Sequence, residues 1–205
     1  QMKRALLFIS GPSGVGKTEV GAWIAQRLSI PFYDLDDEVE RVAEMGIAEL
    51  VSRDGWHEMR RLEADTLSHL IKPFSQESRQ GGQRSDDSSS RHPSAVISLG
   101  GGSVLDERSR QVMDSTGILV TLWATVALIE ERRTRRVYHH AHRDRPVPHE
   151  NLESLITERL AVYLQCDMWI ETLMGESPSQ LGDRMIRAFS LWHTHQTQGR
   201  STPRW

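Results

Sequence analysis

Short apolar segments alternate with longer amphipathic segments along the whole chain. Five of the short segments are almost continuously apolar and rich in β-branched or aromatic residues, which is typical of strands buried on both faces of a sheet. We predict these five strands at residues 5–9, 31–34, 95–99, 117–123 and 168–171. Because helical patterns separate the strands, the sequence predicts an α/β fold: a three-layer sandwich with a five-stranded parallel sheet between helices.

The segments between the strands place apolar residues at helical spacing. In residues 17–28, for example, Val20, Ile24 and Leu28 fall on one face that can pack against the sheet. Pro178 stands at the first position of the last helix, where proline is favoured. The predicted helices cover residues 17–28, 37–45, 47–52, 57–71, 107–114, 125–136, 151–164 and a final stretch from 178.

Residues 75–94 interrupt this alternation. They are dominated by serine, glutamine, glycine, aspartate and arginine and contain no large apolar residue. Such a segment cannot bury enough surface to offset the entropy lost on ordering, so we predict a disordered surface insertion. A regulatory or partner-binding role for it is the alternative. The chain length suits one hydrophobic core, and we predict a single domain over residues 1–205.

Composition and charge exclude several classes of partner. A formal net charge of -3 gives no general attraction to nucleic acid or to an anionic membrane. No apolar run approaches the roughly 18 residues of a membrane span, and the first apolar segment indicates a strand rather than a signal peptide. Cys166 is the single cysteine, which excludes a disulfide framework within the chain and fits a reducing compartment. We therefore expect a cytoplasmic protein that binds neither nucleic acid nor membrane.

A phosphate-binding loop follows the first predicted strand and precedes the first predicted helix. Every position of the P-loop pattern is matched by eight consecutive residues: Gly11, Pro12, Ser13, Gly14, Val15, Gly16, Lys17 and Thr18. The glycines let the loop curl so that backbone N–H groups point at a β-phosphate. Lys17 would reach the β- and γ-phosphates, and the Thr18 hydroxyl would bind Mg²⁺. This motif predicts a bound nucleoside triphosphate but does not separate motors, switches, transporters and metabolic kinases.

Residues suited to an acceptor substrate follow the next two predicted strands. Asp34 and Asp36 share one side of the second strand, so one can face the metal through water while the other reaches a hydroxyl as base or hydrogen-bond acceptor. Strand ends of this kind are where ligands of open α/β sheets bind. Arg60 and Glu63 lie three apart on one helix face. Three consecutive glycines at residues 100–102 let a ligand approach the backbone closely.

Six motifs occur in the order and approximate spacing of the shikimate kinases, and together they cover nearly the whole chain. They are the phosphate-binding loop, Asp34-x-Asp36 followed by Glu40, Gly55-x-x-x-Met59-Arg60-Arg61-x-Glu63, the triple glycine, Arg145-Pro146, and Glu158-Arg159-x-x-x-Tyr163. The chain thus resembles the shikimate kinase family of P-loop small-molecule kinases, whose fold is nucleoside-monophosphate-kinase-like. The resemblance implies transfer of the γ-phosphoryl group of ATP to the 3-hydroxyl of shikimate, with Mg²⁺ as cofactor, in aromatic amino acid biosynthesis. It also implies a small-molecule substrate as the main partner, and we expect a monomer.

The resemblance assigns a role to each matching residue. Shikimate would be held by Asp36, Arg60, Glu63, Gly100, Gly101, Gly102 and Arg159. ATP would be held by the loop from Gly11 to Thr18 together with Arg133 and Arg145, and the metal by Thr18 and Asp34. Lys17, Asp36 and Arg145 would be catalytic, with Arg145 on a lid at residues 134–148. Arg60 and Arg159 suit a carboxylate clamp, because guanidinium groups bind a carboxylate through two parallel hydrogen bonds.

Some positions depart from the family pattern. Met59 replaces the usual phenylalanine, and residues 135–145 form a longer segment with three histidines, at 139, 140 and 142. These histidines leave a metal site open as an alternative to a solvated lid. Two other functions also stay open: a related kinase acting on gluconate or a cyclitol, and a catalytically silent nucleotide-binding module.

Overall fold

The computed structural model describes residues 6–77, 92–139 and 152–197, and a parallel sheet forms its centre. The strands are β1 (Leu6–Ser10), β2 (Phe32–Asp34), β3 (Ala95–Ser98), β4 (Gly117–Trp123) and β5 (Met168–Glu171). They pair in the order β2-β3-β1-β4-β5, and every pairing is parallel. The five predicted strands are confirmed, with boundaries that differ by no more than one residue.

Helices connect the strands. They are α1 (Lys17–Leu28), α2 (Leu35–Ala43), α3 (Ile47–Leu70), α4 (Lys72–Glu77), α5 (Glu107–Thr116), α6 (Val126–His139), α7 (Leu152–Tyr163) and α8 (Pro178–Thr197), with a short 3₁₀ helix at Ser103–Leu105. The helices predicted at 47–52 and 57–71 form one element, α3, which is interrupted at Gly55 (φ 82°, ψ 168°). Helix α2 begins two residues before its predicted start because the Asp34 side chain accepts a hydrogen bond from the Asp36 backbone and caps it.

Two apolar clusters cover the two faces of the sheet. On one face, Val20 of α1, Ile129 of α6 and Phe189 of α8 pack with Val96 and Val120 of the sheet. The opposite face is covered mainly by α3 and α5, with the buried residues Leu67 and Met113 packing against Phe8 and Ile97. Alternate residues of β3 therefore belong to different clusters, as the period of a strand requires. This arrangement confirms the three-layer α/β prediction.

The predicted insertion and lid fall largely outside the described residues. Residues 75–77 complete α4, which corrects the predicted start of the insertion by three residues, and 78–91 lie outside the description. Residues 134–139 belong to the end of α6, whereas the rest of the predicted lid at 140–148, including Arg145 and the histidines at 140 and 142, lies outside it. Among the helices that are described, none has the length and apolar content needed to span a membrane.

Candidate active site

The phosphate-binding loop adopts backbone conformations that need glycine. Gly11, Gly14 and Gly16 have φ values of 130°, 91° and 105°, a region that residues with a Cβ rarely adopt. A Cβ at Gly11 would overlap the carbonyl oxygen of Leu122, and one at Gly14 would lie 2.7 Å from Cγ of Arg133. The loop is therefore tightly enclosed by β4 and α6, and its glycine spacing follows from this geometry.

Lys17 folds back over the loop that precedes it. Its Nζ donates hydrogen bonds to the carbonyl oxygens of Gly11 (2.9 Å) and Pro12 (3.0 Å). The side chain is buried, although it also lines a small cavity at the start of α1. The ammonium group thus lies beside the first two residues of the loop. A phosphate oxygen of a bound nucleotide can replace one of these carbonyls as its partner.

Thr18 and Asp36 both donate hydrogen bonds to the Asp34 carboxylate. Oγ1 of Thr18 donates to Oδ2 of Asp34 at 2.7 Å, and Oδ1 of Asp34 accepts from the Asp36 backbone N–H at 3.1 Å. Hydroxyl and carboxylate oxygens are the ligands that Mg²⁺ prefers, usually one or two from the protein with phosphates and waters completing the octahedron. Within the described ranges, no group of three or more histidine, cysteine, aspartate or glutamate side chains could form a metal cage. The Thr18–Asp34 pair therefore fits Mg²⁺ that is shared with a nucleotide.

Beside the Asp34 carboxylate lies a small polar cavity, about 260 Å³ when its part open to solvent is included. It is lined by Ser13, Gly14, Gly16, Lys17, Thr18, Asp34, Asp36, Ser98 and Leu99. A larger cavity, about 730 Å³ when its part open to solvent is included, lies next to it. It is lined by Pro12, Ser13, Asp36, Ile47, Trp56, Met59, Arg60, the glycines 100–102, Arg133, Leu152, Leu155, Ile156, Arg159 and Tyr163. Asp36 and Ser13 line both cavities, so the phosphate side and the larger cavity meet at these residues.

Arg60 is held from several sides in the larger cavity. Its Nη1 lies 2.5 Å from Oε2 of Glu63, and its guanidinium carbon lies 5.4 Å from the centre of the Trp56 ring. The other carboxylate oxygen of Glu63 accepts from Oγ of Ser103 at 2.5 Å. Glu63 is only 1% exposed, so this buried carboxylate fixes both the arginine and the turn after the glycines. Cation–π contact with Trp56 adds a second restraint on the guanidinium plane.

Arg159 and Tyr163 converge on the glycine segment from the opposite side. Nη1 of Arg159 donates to the Gly101 carbonyl oxygen at 3.2 Å, and the Tyr163 hydroxyl donates to the same oxygen at 2.5 Å. The Tyr163 carbonyl in turn accepts from Thr121 at 2.9 Å, and the Thr121 hydroxyl lies 2.7 Å from that of Ser10. Burial raises the pKa of the Tyr163 hydroxyl, which keeps it protonated as a donor. A buried polar chain thus connects the glycine segment to β4 and β1.

The structure brings most of the predicted site residues to one edge of the sheet. Asp36, Arg60, Arg159 and all three glycines line the same cavity, while Glu63 lies directly behind Arg60. Arg133 lines this cavity too and packs against Gly14. Arg145 is outside the described residues, so its place in the site remains a prediction.

Four residues that position the site were given no role from the sequence, although Tyr163 belongs to one of the six motifs. Ser103 and Tyr163 bond to predicted site residues, and Trp56 stacks on one of them. Arg132 donates to the Val15 carbonyl at 2.7 Å and to the Thr172 hydroxyl at 3.1 Å, which ties the phosphate loop to the end of β5. Trp56 could have been identified from the sequence, because it is a large aromatic residue directly after the glycine that interrupts α3.

The family model and the relatives with similar sequences lead to the same group. A family model described as shikimate kinase matches residues 13–76 and 83–190. The chain is 34% identical over 169 residues to a shikimate kinase from Rhizobium leguminosarum bv. trifolii (strain WSM2304), covering 80% of this chain and 74% of that protein. It is 33% identical over 173 residues to a shikimate kinase from Rhizobium meliloti (strain 1021), covering 82% and 77%.

Solved structures show the same fold. The shikimate kinase from Acinetobacter baumannii in complex with shikimate superposes with a TM-score of 0.72 at 23% identity, covering 91% of this chain and 93% of that one. A gluconokinase from Sinorhizobium meliloti 1021 superposes with a TM-score of 0.54 at 15% identity, covering 98% and 100%. Because both identities are below 25%, these two structures show that the fold is shared and no more than that.

Proposed function

This chain belongs to the shikimate kinase family, and we propose that its site transfers the γ-phosphoryl group of ATP to the 3-hydroxyl of shikimate. The observation that supports this best is the larger cavity, where Arg60, Arg159 and Asp36 line one space beside the phosphate-binding loop. This cavity is partly open to solvent, so an acceptor can enter it beside the phosphate-binding loop. The reaction belongs to aromatic amino acid biosynthesis.

The acceptor would be oriented by its carboxylate and its hydroxyl groups. Arg60 and Arg159 bind the carboxylate, and the backbone of the glycines at 100–102 bounds the ring. Glu63 holds Arg60 in place through the 2.5 Å contact. With the carboxylate fixed, the reacting hydroxyl lies towards Asp36, which lines both cavities. Asp36 would orient this hydroxyl and accept its proton as the new P–O bond forms.

The donor side would be formed by the loop and α1. Backbone N–H groups of residues 11–18 cradle the β-phosphate of ATP, Lys17 neutralises charge on the β- and γ-phosphates, and Arg133 contacts the nucleotide. Thr18 and Asp34 would hold Mg²⁺, which when bound supplies positive charge to the phosphate oxygens. Arg145, on a lid at residues 134–148, would close over the transferring group. Catalysis then rests on positioning and electrostatic stabilisation rather than on a covalent intermediate.

The protein would act as a single domain and as a monomer in the cytoplasm. Both apolar clusters share the one sheet, as a single core requires. A reducing compartment agrees with the lone Cys166, whose thiol pKa is raised by burial and which is therefore poorly reactive. Light scattering at increasing protein concentration should report the mass of one chain throughout.

An acceptor panel tests the proposed function. ADP release, coupled to a spectrophotometric assay, would be measured with shikimate, quinate, gluconate and inositol. We expect the highest kcat/KM with shikimate, because the two arginines need a carboxylate, which inositol lacks, and because the family to which the chain belongs favours shikimate over gluconate. Arg60→Ala should lose most of the shikimate activity while keeping nucleotide binding. Faster phosphorylation of quinate, gluconate or inositol would refute shikimate as the acceptor. Nucleotide binding without transfer to any of the four compounds would indicate a silent module.

A further inference from the structure

One backbone oxygen beside the larger cavity accepts hydrogen bonds from two side chains of α7. The Gly101 carbonyl oxygen lies 2.5 Å from the Tyr163 hydroxyl and 3.2 Å from Nη1 of Arg159. Arg159 and Tyr163 are four residues apart, so the same face of the helix carries both. A carbonyl oxygen has two lone pairs and can accept from both donors at once. Because the first distance is at the short end of the usual range and the second at the long end, Tyr163 is the stronger partner.

Tyr163 is fixed in place by the sheet. It is the last residue of α7 and is 2% exposed. Its backbone carbonyl, one of the last four of the helix and so without a partner inside it, accepts from Oγ1 of Thr121 at 2.9 Å. This bond uses the only hydrogen of the Thr121 hydroxyl, so Ser10 is the donor in the 2.7 Å contact between the Ser10 and Thr121 hydroxyls. Side chains of β1 and β4 thus hold the end of α7 that carries Tyr163.

Arg159 can turn away from the Gly101 oxygen without leaving it unpaired. Arg159 is half-buried and lines the larger cavity. A carboxylate in that cavity is a better partner for a guanidinium than a neutral carbonyl is, because hydrogen bonds between charged groups are roughly twice as strong. Tyr163 continues to donate to Gly101 after such an exchange. Without the tyrosine hydroxyl, Gly101 would depend on Arg159, and the guanidinium would have to give up this bond in order to bind a ligand.

We propose that Tyr163 is a positioning residue for the acceptor: its hydroxyl keeps the Gly101 carbonyl paired and so leaves Arg159 available to the acceptor carboxylate. The inference rests on the proposed function, since it takes the acceptor to be a carboxylate bound by Arg159. Tyr163 acts through Gly101 and Arg159 rather than through a contact with the reacting atoms. The spacing of four residues between Arg159 and Tyr163 then has a function, because it brings both side chains to one oxygen.

Shikimate affinity in a double-mutant cycle tests this role. Calorimetry would give the dissociation constants of shikimate and ADP for wild type, Tyr163→Phe, Arg159→Ala and the double variant. Tyr163→Phe should weaken shikimate binding about 3-fold to 10-fold, as loss of one hydrogen bond does. It should leave ADP affinity unchanged, because neither residue lines the small polar cavity. In the Arg159→Ala background, Tyr163→Phe should not change shikimate affinity further, because no guanidinium remains to be made available.

Tyr33→Phe is the matched control. Tyr33 packs against the apolar cluster that contains Tyr163 and lines neither cavity, so its substitution should leave both affinities unchanged. Melting temperatures without ligand give a second readout. Arg159→Ala should lower the melting temperature more in Tyr163→Phe than in wild type, because Arg159 is the one of the two donors to Gly101 that remains there.

Three results would overturn the inference while the proposed function stands. They are an unchanged shikimate affinity in Tyr163→Phe, an equal effect of this substitution with and without Arg159, and equal losses of shikimate and ADP affinity, which would show a general loosening of the site. Wild type that binds no shikimate would refute the proposed function and this inference together. Coupling between Tyr163 and Arg159 in both shikimate affinity and melting temperature is the result that supports it.

Discussion

A single methyl group at Gly102 would displace Arg60. A Cβ built at this position overlaps Nη2 of Arg60 and lies 2.7 Å from Cζ and 3.2 Å from Nη1. The backbone of Gly102 has φ -118° and ψ 1°, which alanine can adopt without left-handed strain. Gly102→Ala should therefore leave the fold intact and force the guanidinium out of its place between Glu63 and Trp56.

The effect of Gly102→Ala on acceptor binding can be estimated from the hydrogen bond between Arg60 and the acceptor carboxylate that it would remove. A hydrogen bond to a charged group contributes about 1.5–3 kcal/mol, and a tenfold change in binding corresponds to about 1.4 kcal/mol. If Arg60 binds the acceptor carboxylate, displacing it should raise the KM for shikimate by about 10-fold to 100-fold. The KM for ATP should change little, because Arg60 lines the larger cavity and not the small cavity beside the loop.

Steady-state kinetics of Gly102→Ala and Gly101→Ala, with melting temperatures, test this estimate. Gly101→Ala is a matched control from the same segment, because its Cβ would face the phosphate loop, 3.4 Å from the Ser13 backbone nitrogen and 3.9 Å from Nη1 of Arg159. Because these distances are ordinary van der Waals contacts, Gly101→Ala should change either KM much less than Gly102→Ala changes the KM for shikimate. The reasoning fails if folded Gly102→Ala keeps the wild-type KM for shikimate, or if both variants raise both constants equally.

Three further substitutions probe other parts of the site. Lys17→Ala should lower turnover by about 100-fold or more in the ADP-release assay, as loss of a transition-state donor does, and unchanged turnover would contradict its catalytic role. Glu63→Gln should reduce the free energy of unfolding by about 1–3 kcal/mol in denaturant titrations, because a buried carboxylate loses its charge beside Arg60. Glu58→Gln is the control, and it should leave the free energy of unfolding nearly unchanged because its ion pair is exposed. Since burial raises the pKa of Tyr163 above the unfolded value of 10.0, wild type should lose stability relative to Tyr163→Phe as the pH rises above about 10, and a constant difference in melting temperature from pH 8 to 11 would contradict this.

Local patterns were sufficient to predict the sheet and the residues at its edge. The apolar runs identified all five strands, and Asp34 and the glycines at 100–102 were placed because they lie at or just after strand ends. The break in α3 was visible because Gly55, which adopts a positive φ, separates two helical patterns. These features depend on residues close together in the chain, where periodicity and turn chemistry act directly.

Contacts between distant residues could not be predicted in this way. Ser103 and Glu63 are 40 residues apart, and Tyr163 and Gly101 are 62 apart, so no local pattern relates them. Arg132 and Arg133 are neighbours in a run of charged residues, yet one bonds the Val15 carbonyl and the other packs on Gly14. The two side chains make different contacts because of the direction in which α6 crosses the phosphate loop. That direction depends on the three-dimensional packing and cannot be read from the local sequence.

The position of Lys17 bears on how the enzyme empties its site between turnovers. Its ammonium group already has two partners within its own loop, the carbonyls of Gly11 and Pro12. An incoming nucleotide must exchange them for phosphate oxygens, and the departing ADP, which lacks the γ-phosphate, leaves them free to reform. The loop thus competes with both nucleotides for the same cation, and ADP, which has no γ-phosphate to offer in exchange, is the weaker competitor.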